Sequence, residues 1–341
     1  MTNGFSTTRA QPAVTIVDID DMTAANAGMH LLKQEGMPLQ SMPLRARRVI
    51  VRLKSATVVY HSTNLRLRTR TQALDGLLAF VTFGPRASGT VDGLRVRPGM
   101  LLVARPEIEA GFVVDPGWES VDLLVPQEDI REHLSARRRE DAFHWPRGVD
   151  VLRTDATRAR ALFRWGKRLI ATASKAPALF EEGHAERDAV QVELLEALLT
   201  AMRSADPVAP AGKERTRQAY ARIVRMAEDH VLSHIGEPVH VSDLCLAADV
   251  SERTLEYAFR AVVGLSPVSY LIRLRLHKVR AALLAAEPGS TQVSAEALKW
   301  GFWHFGEFSR AYKQCFGEPP SDTLRRKSAS PDRLRGSTAR E

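Results

Sequence analysis

Cysteines and aromatic residues are scarce in this chain of 341 residues, and long apolar runs are missing from it. The two cysteines, Cys245 and Cys315, have no Cys-x-x-Cys or Cys/His spacing around them, so we expect reduced thiols, no disulfide framework and no zinc site. No 18 apolar residues follow one another, which argues against a transmembrane helix. The polar start, MTNGFSTTRAQP, is unlike a signal peptide, and we expect a cytoplasmic protein.

Motifs of the common enzyme classes are also missing. The sequence contains no P-loop, no Gly-x-Gly-x-x-Gly and no Gly-x-Ser-x-Gly. Four histidines are candidates for catalysis or for a metal site: His61, His133, His144 and His184. None of them falls in a His-x-His or His-Glu-x-x-His arrangement. Scattered histidines are typical of surface or core positions. We therefore expect a protein that is not an enzyme and has no cofactor or metal.

Length and charge favour two domains and a polyanionic partner. A chain of 341 residues is too long for one ordinary core. Hydrophobic residues make up 44% of it and charged residues 26%, which is typical of a folded protein. Lys and Arg number 48 against 40 Asp and Glu, a net charge of +8. Such a balance favours nucleic acid as a partner before a membrane.

The N-terminal part shows a pattern typical of short β-strands. Over about residues 47–126, apolar and polar residues alternate in runs that end at turns such as Asp92-Gly93 and Pro98-Gly99. This pattern predicts an antiparallel sandwich or a small barrel. Ahead of it we expect a loose leader of 20 residues. A helix is then expected from Met22 to Glu35, with Asp21 as its N-cap and Gly36 at its end.

Helical periodicity follows after residue 129. Two stripes recur at helical spacing, one with Leu162, Leu169 and Ala173 and the other with Val192, Leu195, Leu199 and Met202. The second stripe is wide, because Leu194 and Leu198 adjoin it, and we expect a homodimer formed through these helices. The Pro/Ala/Gly-rich stretch from Ala205 to Glu214 predicts a linker, and a helix is expected from about Arg215 to Ser233.

The C-terminal part contains an internal repeat. The segment LEYAFRAVVGLSPVSYL, from Leu255, aligns with FSRAYKQCFGEPPSDTL, from Phe308, at an offset of 53 residues. Each copy reads as a short helix, a turn and a second helix, about 241–262 in the first copy and about 293–316 in the second. Gly264 and Gly317 are expected to end the second helices in the left-handed conformation. Ser251 is expected to cap the first copy's second helix.

The repeat also accounts for the aromatic residues concentrated between Trp300 and Phe316. Their helical spacing predicts a packed core, with base stacking as the alternative. The residues expected to supply that core are Phe302, Phe305, Phe308, Tyr312 and Phe316.

Two helix-turn-helix units joined by a long helix, SYLIRLRLHKVRAALLAA, resemble the DNA-binding domain of the AraC/XylS family of bacterial transcription regulators. The resemblance to the family covers residues 222–326. The residues that carry it are Ser251, Leu255, Phe259, Gly264, Ser266-Pro267, Tyr270, Arg275-Leu276, Ala297, Gly301-Phe302, Phe308-Ser309-Arg310, Phe316-Gly317 and Pro320-Ser321. Within the family, the Gly-Phe-Trp-His run is similar to the branch that contains the ethanolamine-utilisation regulator. Glu296 departs from the family, which has an apolar residue there, and Glu307 stands where a basic residue is expected.

The resemblance implies an α+β multidomain chain. Residues 1–204 are then a cupin-like antiparallel β domain that senses an effector, with helices for dimerisation. Residues 205–221 are a linker and the start of a long helix, and 222–326 are the all-α DNA-binding domain. The basic tail 327–341 is expected to be disordered. The function implied is a sequence-specific DNA-binding regulator, an activator that works with RNA polymerase and responds to an unknown small-molecule effector. The alternatives are a DNA-binding protein that senses nothing and a cupin-type enzyme fused to a DNA-binding domain.

Family geometry places the second helix of each unit in the major groove of double-stranded DNA. The outward residues expected to contact bases are Arg253, Glu256, Tyr257, Glu307 and Arg310. Those expected to contact phosphates are Arg273, Arg275, Lys278, Lys313, Arg325 and Arg326. For each base contact, a solvated surface position is the alternative, and for Arg275 the alternative is a structural role in the linking helix. The sequence does not predict which residues bind the effector.

Overall fold

A computed structural model describes residues 11–22, 29–41, 43–138, 143, 145–203, 205–235, 237, 239–287 and 289–325. The chain forms two compact units, one built mainly from residues up to Ala209 and the other mainly from Pro210 onward. The predicted tail, 327–341, lies outside the described residues. Within those residues, no helix combines the length and apolar character needed to cross a membrane.

The N-terminal unit contains two antiparallel sheets. The eight-stranded sheet has the order β1-β3-β4-β11-β6-β9-β12-β13, and the five-stranded sheet has the order β2-β5-β10-β7-β8. The strands are β1 Val14–Ile19, β2 Leu32–Pro38, β3 Ala46–Arg52, β4 Thr57–Thr63, β5 Leu67–Ala73, β6 Leu77–Phe83, β7 Gly89–Val91, β8 Leu94–Val96, β9 Met100–Ala104, β10 Glu109–Val114, β11 Trp118–Pro126, β12 Val149–Arg153 and β13 Asp206–Pro207.

Helices cover one face of the eight-stranded sheet. They are α1 Gln127–Ser135, α2 Ala156–Lys175 and α3 Ala185–Met202, with a 3₁₀ turn at Pro177–Phe180. Because strand side chains alternate between faces, Val49 and Val51 of β3 point into the core shared with α2 and α3. Gly166 lets α2 approach β11 closely, since a Cβ there would lie 2.6 Å from Val121 Cγ1.

The leucines of α3 are used inside the unit itself. Leu194, Leu195 and Leu198 are buried in the core of the N-terminal unit. Val192, which was assigned to the same stripe, is instead 52% exposed. The width of the leucine stripe is therefore explained by packing within one chain, and it does not by itself argue for a homodimer.

Two predictions near the N-terminus are wrong. The expected leader contains β1, which pairs antiparallel with β3. The expected helix from Met22 to Glu35 contains the start of β2, a strand of the five-stranded sheet, while residues 23–28 lie outside the described part. Backbone pairing with distant strands decides both segments, and local periodicity does not contain that information.

The predicted linker is partly ordered by pairing. Asp206 and Pro207 form β13 against β12, and the Val208 amide donates to the Val151 carbonyl at 2.8 Å. The helix expected from Arg215 begins earlier, at Gly212.

The C-terminal unit is helical. Its helices are α4 Gly212–Ser233, α5 Val241–Ala248, α6 Glu252–Val262, α7 Pro267–Ala285, α8 Val293–Lys299, α9 Phe305–Phe316 and α10 Pro320–Arg325. In its first half, α4 packs against α5 and α6. The Tyr270 hydroxyl on α7 donates to the buried Glu228 carboxylate on α4, and Phe259 meets the Tyr270 ring edge-on at 5.4 Å. A buried carboxylate needs such a donor, so this bond ties α7 to α4.

A second buried polar cluster joins α7 to the last two helices. Arg280 Nη1 donates to Glu318 Oε1 at 2.8 Å and to Thr323 Oγ1 at 3.3 Å. The Tyr312 hydroxyl donates to Thr323 at 2.9 Å, and burial raises the pKa of Tyr312. The guanidinium also stacks over Phe316, with 4.6 Å from Cζ to the ring centre. Around it lie apolar residues of α7, α8 and α9, so the second half has its own core.

Glu318→Ala should destabilise the C-terminal unit by about 3–5 kcal/mol, because it leaves the buried Arg280 without its carboxylate partner. Glu256→Ala is the matched control: it breaks the exposed pair with Arg260, which is worth about 0–1 kcal/mol. Urea unfolding followed by circular dichroism measures both. Equal losses for the two variants would contradict a structural role for the buried pair.

Candidate nucleic-acid interface and interior cavity

The first helix pair, α5 and α6, is joined by a three-residue turn. Asp249 ends α5 in the left-handed conformation, with a φ of 51°, and the Val250 amide donates to the Cys245 carbonyl at 3.0 Å. Ser251 Oγ then accepts from the Thr254 amide at 3.3 Å, so the predicted N-cap of α6 is present. The role of Asp249 was not predicted from the sequence, although Asp tolerates this conformation better than most residues.

The second pair, α8 and α9, follows the same plan. Gly301 has a φ of 77°, and the Phe302 amide donates a hydrogen bond to the Ala297 carbonyl at 2.9 Å. Gly264 and Gly317 follow α6 and α9 with φ of 80° and 77°, the left-handed conformation predicted for both.

The outward face of α6 is polar and aromatic, while Leu255 and Phe259 are buried. The Arg253 guanidinium lies over the Tyr257 ring, 5.5 Å from its centre, and Nη2 donates to the Tyr257 hydroxyl at 3.2 Å. Glu256 is paired with Arg260 at 2.9 Å. Three predicted base-contact residues are thus brought together on one face of one helix.

The outward face of α9 carries Glu307 and Arg310, both exposed. Phe308 and Tyr312 are buried as predicted, and Phe302 and Phe316 are half-buried. The prediction that Phe305 belongs to the core is wrong: it opens α9, one turn ahead of Phe308, and is 42% exposed.

The predicted phosphate contacts divide into two groups. Lys313 and Arg325 are exposed, and Arg325 pairs with Asp322. Three residues on α7 are half-buried: Arg273, Arg275 and Lys278. Burial lowers the pKa of Arg275, whose Nη1 would lie 3.5 Å from a Cβ placed on Gly301. This position, against the turn of the second pair, favours the structural alternative for Arg275. Arg326 lies outside the described residues.

Glu296, which departs from the family pattern, has a partner. Thr291 Oγ1 donates to its Oε1 at 2.9 Å. The Glu296 Oε2 atom is buried and has no hydrogen-bond partner among the described residues, so the carboxylate is satisfied at one oxygen only.

The N-terminal unit contains a cavity of about 90 Å³ between its two sheets. The face of the eight-stranded sheet opposite α2 and α3 lines it, together with residues of the five-stranded sheet. Most of the lining is apolar, including Leu32, Val81, Leu102 and Phe112.

A buried polar chain crosses three neighbouring strands at this cavity. Arg48 and His61 are paired residues of β3 and β4, and Arg48 Nε donates to His61 Nδ1 at 3.3 Å. Arg48 Nη2 donates to Gln34 Oε1. His61 Nε2 lies 3.1 Å from Asp122 Oδ2 on β11, at an angle outside that of a good hydrogen bond. Burial lowers the pKa of Arg48 to about 10, despite the attraction of Asp122, so Arg48 stays charged at neutral pH.

The other histidines are separate from this chain. His133 is buried with Nε2 3.2 Å from Glu196 Oε1, His184 is exposed at the start of α3, and His144 lies outside the described residues. Within the described part of the chain, no three His, Cys, Asp or Glu residues form a group that suits a metal ion. His61 was expected to be one of several scattered histidines. The sequence signal for its role is a polar residue on the same face of each of three adjoining strands: Arg48, His61 and Asp122.

Known proteins resemble the C-terminal part of the chain. Residues 244–326 match the family model described as a helix-turn-helix domain. The probable thc operon regulatory protein of Rhodococcus erythropolis is 38% identical over 109 residues, 32% of this chain and 33% of that protein. The XylDLEGF operon transcriptional activator 3 of Pseudomonas putida is 33% identical over 109 residues, 32% of each chain. The match thus spans about a third of the length of these curated relatives.

Among solved structures, the AraC-like transcriptional activator CuxR aligns with 84% of this chain and 100% of its own, at 13% identity and a TM-score of 0.40. At that score the likeness carries no argument. The sequence matches, together with the two helix pairs, identify the C-terminal part as a helix-turn-helix domain similar to those of these operon regulators.

Proposed function

We propose that the protein is a sequence-specific DNA-binding transcription regulator, an activator controlled by a small molecule bound to the N-terminal unit. One observation carries the proposal: α6 and α9 occupy equivalent positions in two helix-turn-helix pairs and both direct polar side chains outward. The relatives with the same domain are named as operon regulators or activators. A regulator of this kind works on chromosomal DNA in the cytoplasm and has no catalytic task.

Direct readout is assigned to the outward residues of α6 and α9. Arg253 is suited to pair with guanine through O6 and N7, and Glu256 to accept from cytosine N4 once released from Arg260. Tyr257 holds the Arg253 guanidinium by stacking, which reduces the conformational entropy that Arg253 loses on binding. Arg310 takes the equivalent task on α9, next to Glu307, whose charge repels phosphates and sharpens the register.

Phosphate contacts are assigned to Lys313 and Arg325, which are exposed, with Arg273, Lys278 and Arg326 as further contributors. From residue 212 onward the sequence has 20 Lys and Arg against 15 Asp and Glu, and residues 326–341 contribute five of those 20. The positive charge is therefore concentrated at the C-terminal end of the sequence, and we assign to it affinity that does not depend on DNA sequence.

Activation implies a contact with RNA polymerase, and the family pattern implies a homodimer. Within the described part of α3, Val192 is the large apolar side chain that remains exposed, and we place the dimer contact on that side of the helix. Sedimentation of the full chain distinguishes a dimer from a monomer.

Arg253→Ala and Arg310→Ala should each relax the preference for one base pair, by about 1–3 kcal/mol, at positions roughly 10 base pairs apart. The reason is that a bidentate contact discriminates only at the base it touches. Binding profiles across a randomised site measure the effect. If Arg310→Ala lowers the affinity for all sequences equally, the second pair contacts only the DNA backbone. If both variants do so, base readout by the two pairs is contradicted.

Lys313→Ala is the matched control on α9, one turn after Arg310. Because Lys313 is assigned to a phosphate, its removal should weaken binding to all sequences evenly and lower the slope of log K against log salt by about one unit.

A fragment from Pro210 to Glu341 should bind DNA without any effector, because α4 begins at Gly212 and completes the core of the first pair. Fluorescence anisotropy with a labelled operator, with circular dichroism to verify folding, tests this. The same fragment carrying both Arg→Ala changes serves as the control. A folded fragment with no affinity would show that the N-terminal unit is required for binding.

A further inference from the structure

The charges inside the cavity of the N-terminal unit balance. Among the described lining residues, Arg48 and Asp122 are the two buried charged groups, with Arg48 2% exposed and Asp122 9% exposed. Arg47 also lines the cavity, but its side chain is half exposed and pairs with Asp18. His61 Nδ1 accepts from Arg48 Nε, and His61 Nε2 lies 3.1 Å from Asp122 Oδ2 without a good hydrogen bond. The buried interior thus carries one positive and one negative charge.

Each of the two charged groups keeps one buried atom without a hydrogen-bond partner among the described residues. On Arg48 it is Nη1, a donor, while Nε and Nη2 are used within the protein. On Asp122 it is Oδ1, an acceptor. Buried polar atoms are almost always satisfied in native proteins, so an unsatisfied donor and an unsatisfied acceptor on one cavity wall indicate a missing partner.

We propose that the cavity binds a small, neutral, largely apolar molecule whose polar end has both an acceptor oxygen and an N–H or O–H donor. The oxygen accepts from Arg48 Nη1 and the donor bonds to Asp122 Oδ1. A primary amide has both groups on one carbon. The regulatory meaning of this site rests on the proposed function, because the molecule bound there would be the effector.

The size and charge of the cavity narrow the class of ligand. A volume of about 90 Å³ is several times the roughly 10–15 Å³ that one water needs, which suits a small organic molecule. An anion or a cation would add an unbalanced charge to an interior in which Arg48 and Asp122 already compensate each other, and burial of an unbalanced charge is unfavourable. The apolar walls suit the hydrocarbon part.

Three probes of nearly the same shape separate these possibilities: isobutyramide, isobutyrate and isobutylamine. Titration calorimetry of the full chain at pH 7 should show at least a roughly tenfold preference for isobutyramide over each ion, the size of one hydrogen bond to a charged group. A preference for either ion would overturn the assignment of a neutral ligand. Binding of none at tens of millimolar would show that water satisfies both atoms, and the proposal would fall.

Two variants test the atoms involved. Asp122→Asn replaces the acceptor Oδ1 with a potential donor and leaves Arg48 uncompensated, so the preference should reverse and isobutyrate should bind more tightly than isobutyramide. Arg48→Gln should weaken isobutyramide roughly tenfold. Arg45→Gln, an exposed arginine at the start of the same segment, is the control and should change nothing. If Arg48→Gln does not fold, the reversal in Asp122→Asn decides: an unchanged preference there would overturn the proposal.

DNA binding is measured separately on the same preparations with a labelled operator. Ligand binding with the expected preferences but no DNA affinity would support the ligand site and contradict the proposed function as a DNA-binding regulator. DNA affinity without binding of any probe would support the regulator function and contradict the ligand site.

Discussion

Helix α7 is the part on which the arrangement of the C-terminal unit depends, because buried polar groups tie it to α4, which packs on the first helix pair, and to the residues that follow α9. At its first turn Tyr270 satisfies the buried Glu228 of α4, and near its end Arg280 is satisfied by Glu318 and Thr323. A buried charge without its partner is costly, so neither contact is easily broken or shifted. One rigid helix with a fixed attachment at each end sets the spacing between α6 and α9, which DNA readout in successive grooves requires.

In the N-terminal unit the corresponding constraint is strand alternation. Successive residues of β3 point to opposite faces, so Val49 and Val51 serve the core under α2 and α3 while Arg48 faces the other sheet. The same alternation in β4 and β11 aligns His61 and Asp122 with Arg48. The unit can therefore combine a dry core on one side of the sheet with a polar chain on the other. A slip of one residue in register would exchange the two faces.

Local signals predicted the C-terminal domain closely. The expected pairs at about 241–262 and 293–316 coincide with the bounds of α5 to α6 and α8 to α9, since capping residues, left-handed glycines and apolar spacing are all local. Prediction failed where the answer lies in distant partners. The strand β2 takes its structure from the five-stranded sheet, and the polar chain of the cavity links Arg48 through His61 to Asp122, which lies 74 positions after Arg48 in the sequence. Base and phosphate contacts stay predictions, because only a DNA complex tests them.

The two helix pairs share one plan but present different chemistry at their outward faces. On α6, Arg253 is held against Tyr257, and Glu256 against Arg260, so its polar groups are preorganised by partners on the same helix. The entrance to α9 instead exposes Trp303, at 60%, and Phe305. In the proposed readout, this apolar surface would add a contact with the thymine methyl group to the polar contacts of Arg310, whereas α6 would offer Arg253 and Glu256 to guanine and cytosine edges. If both helices enter the groove, the repeat therefore does not imply a repeated half-site. Under the proposed function each pair would read its own base pairs, and the operator is expected to be asymmetric for a single chain.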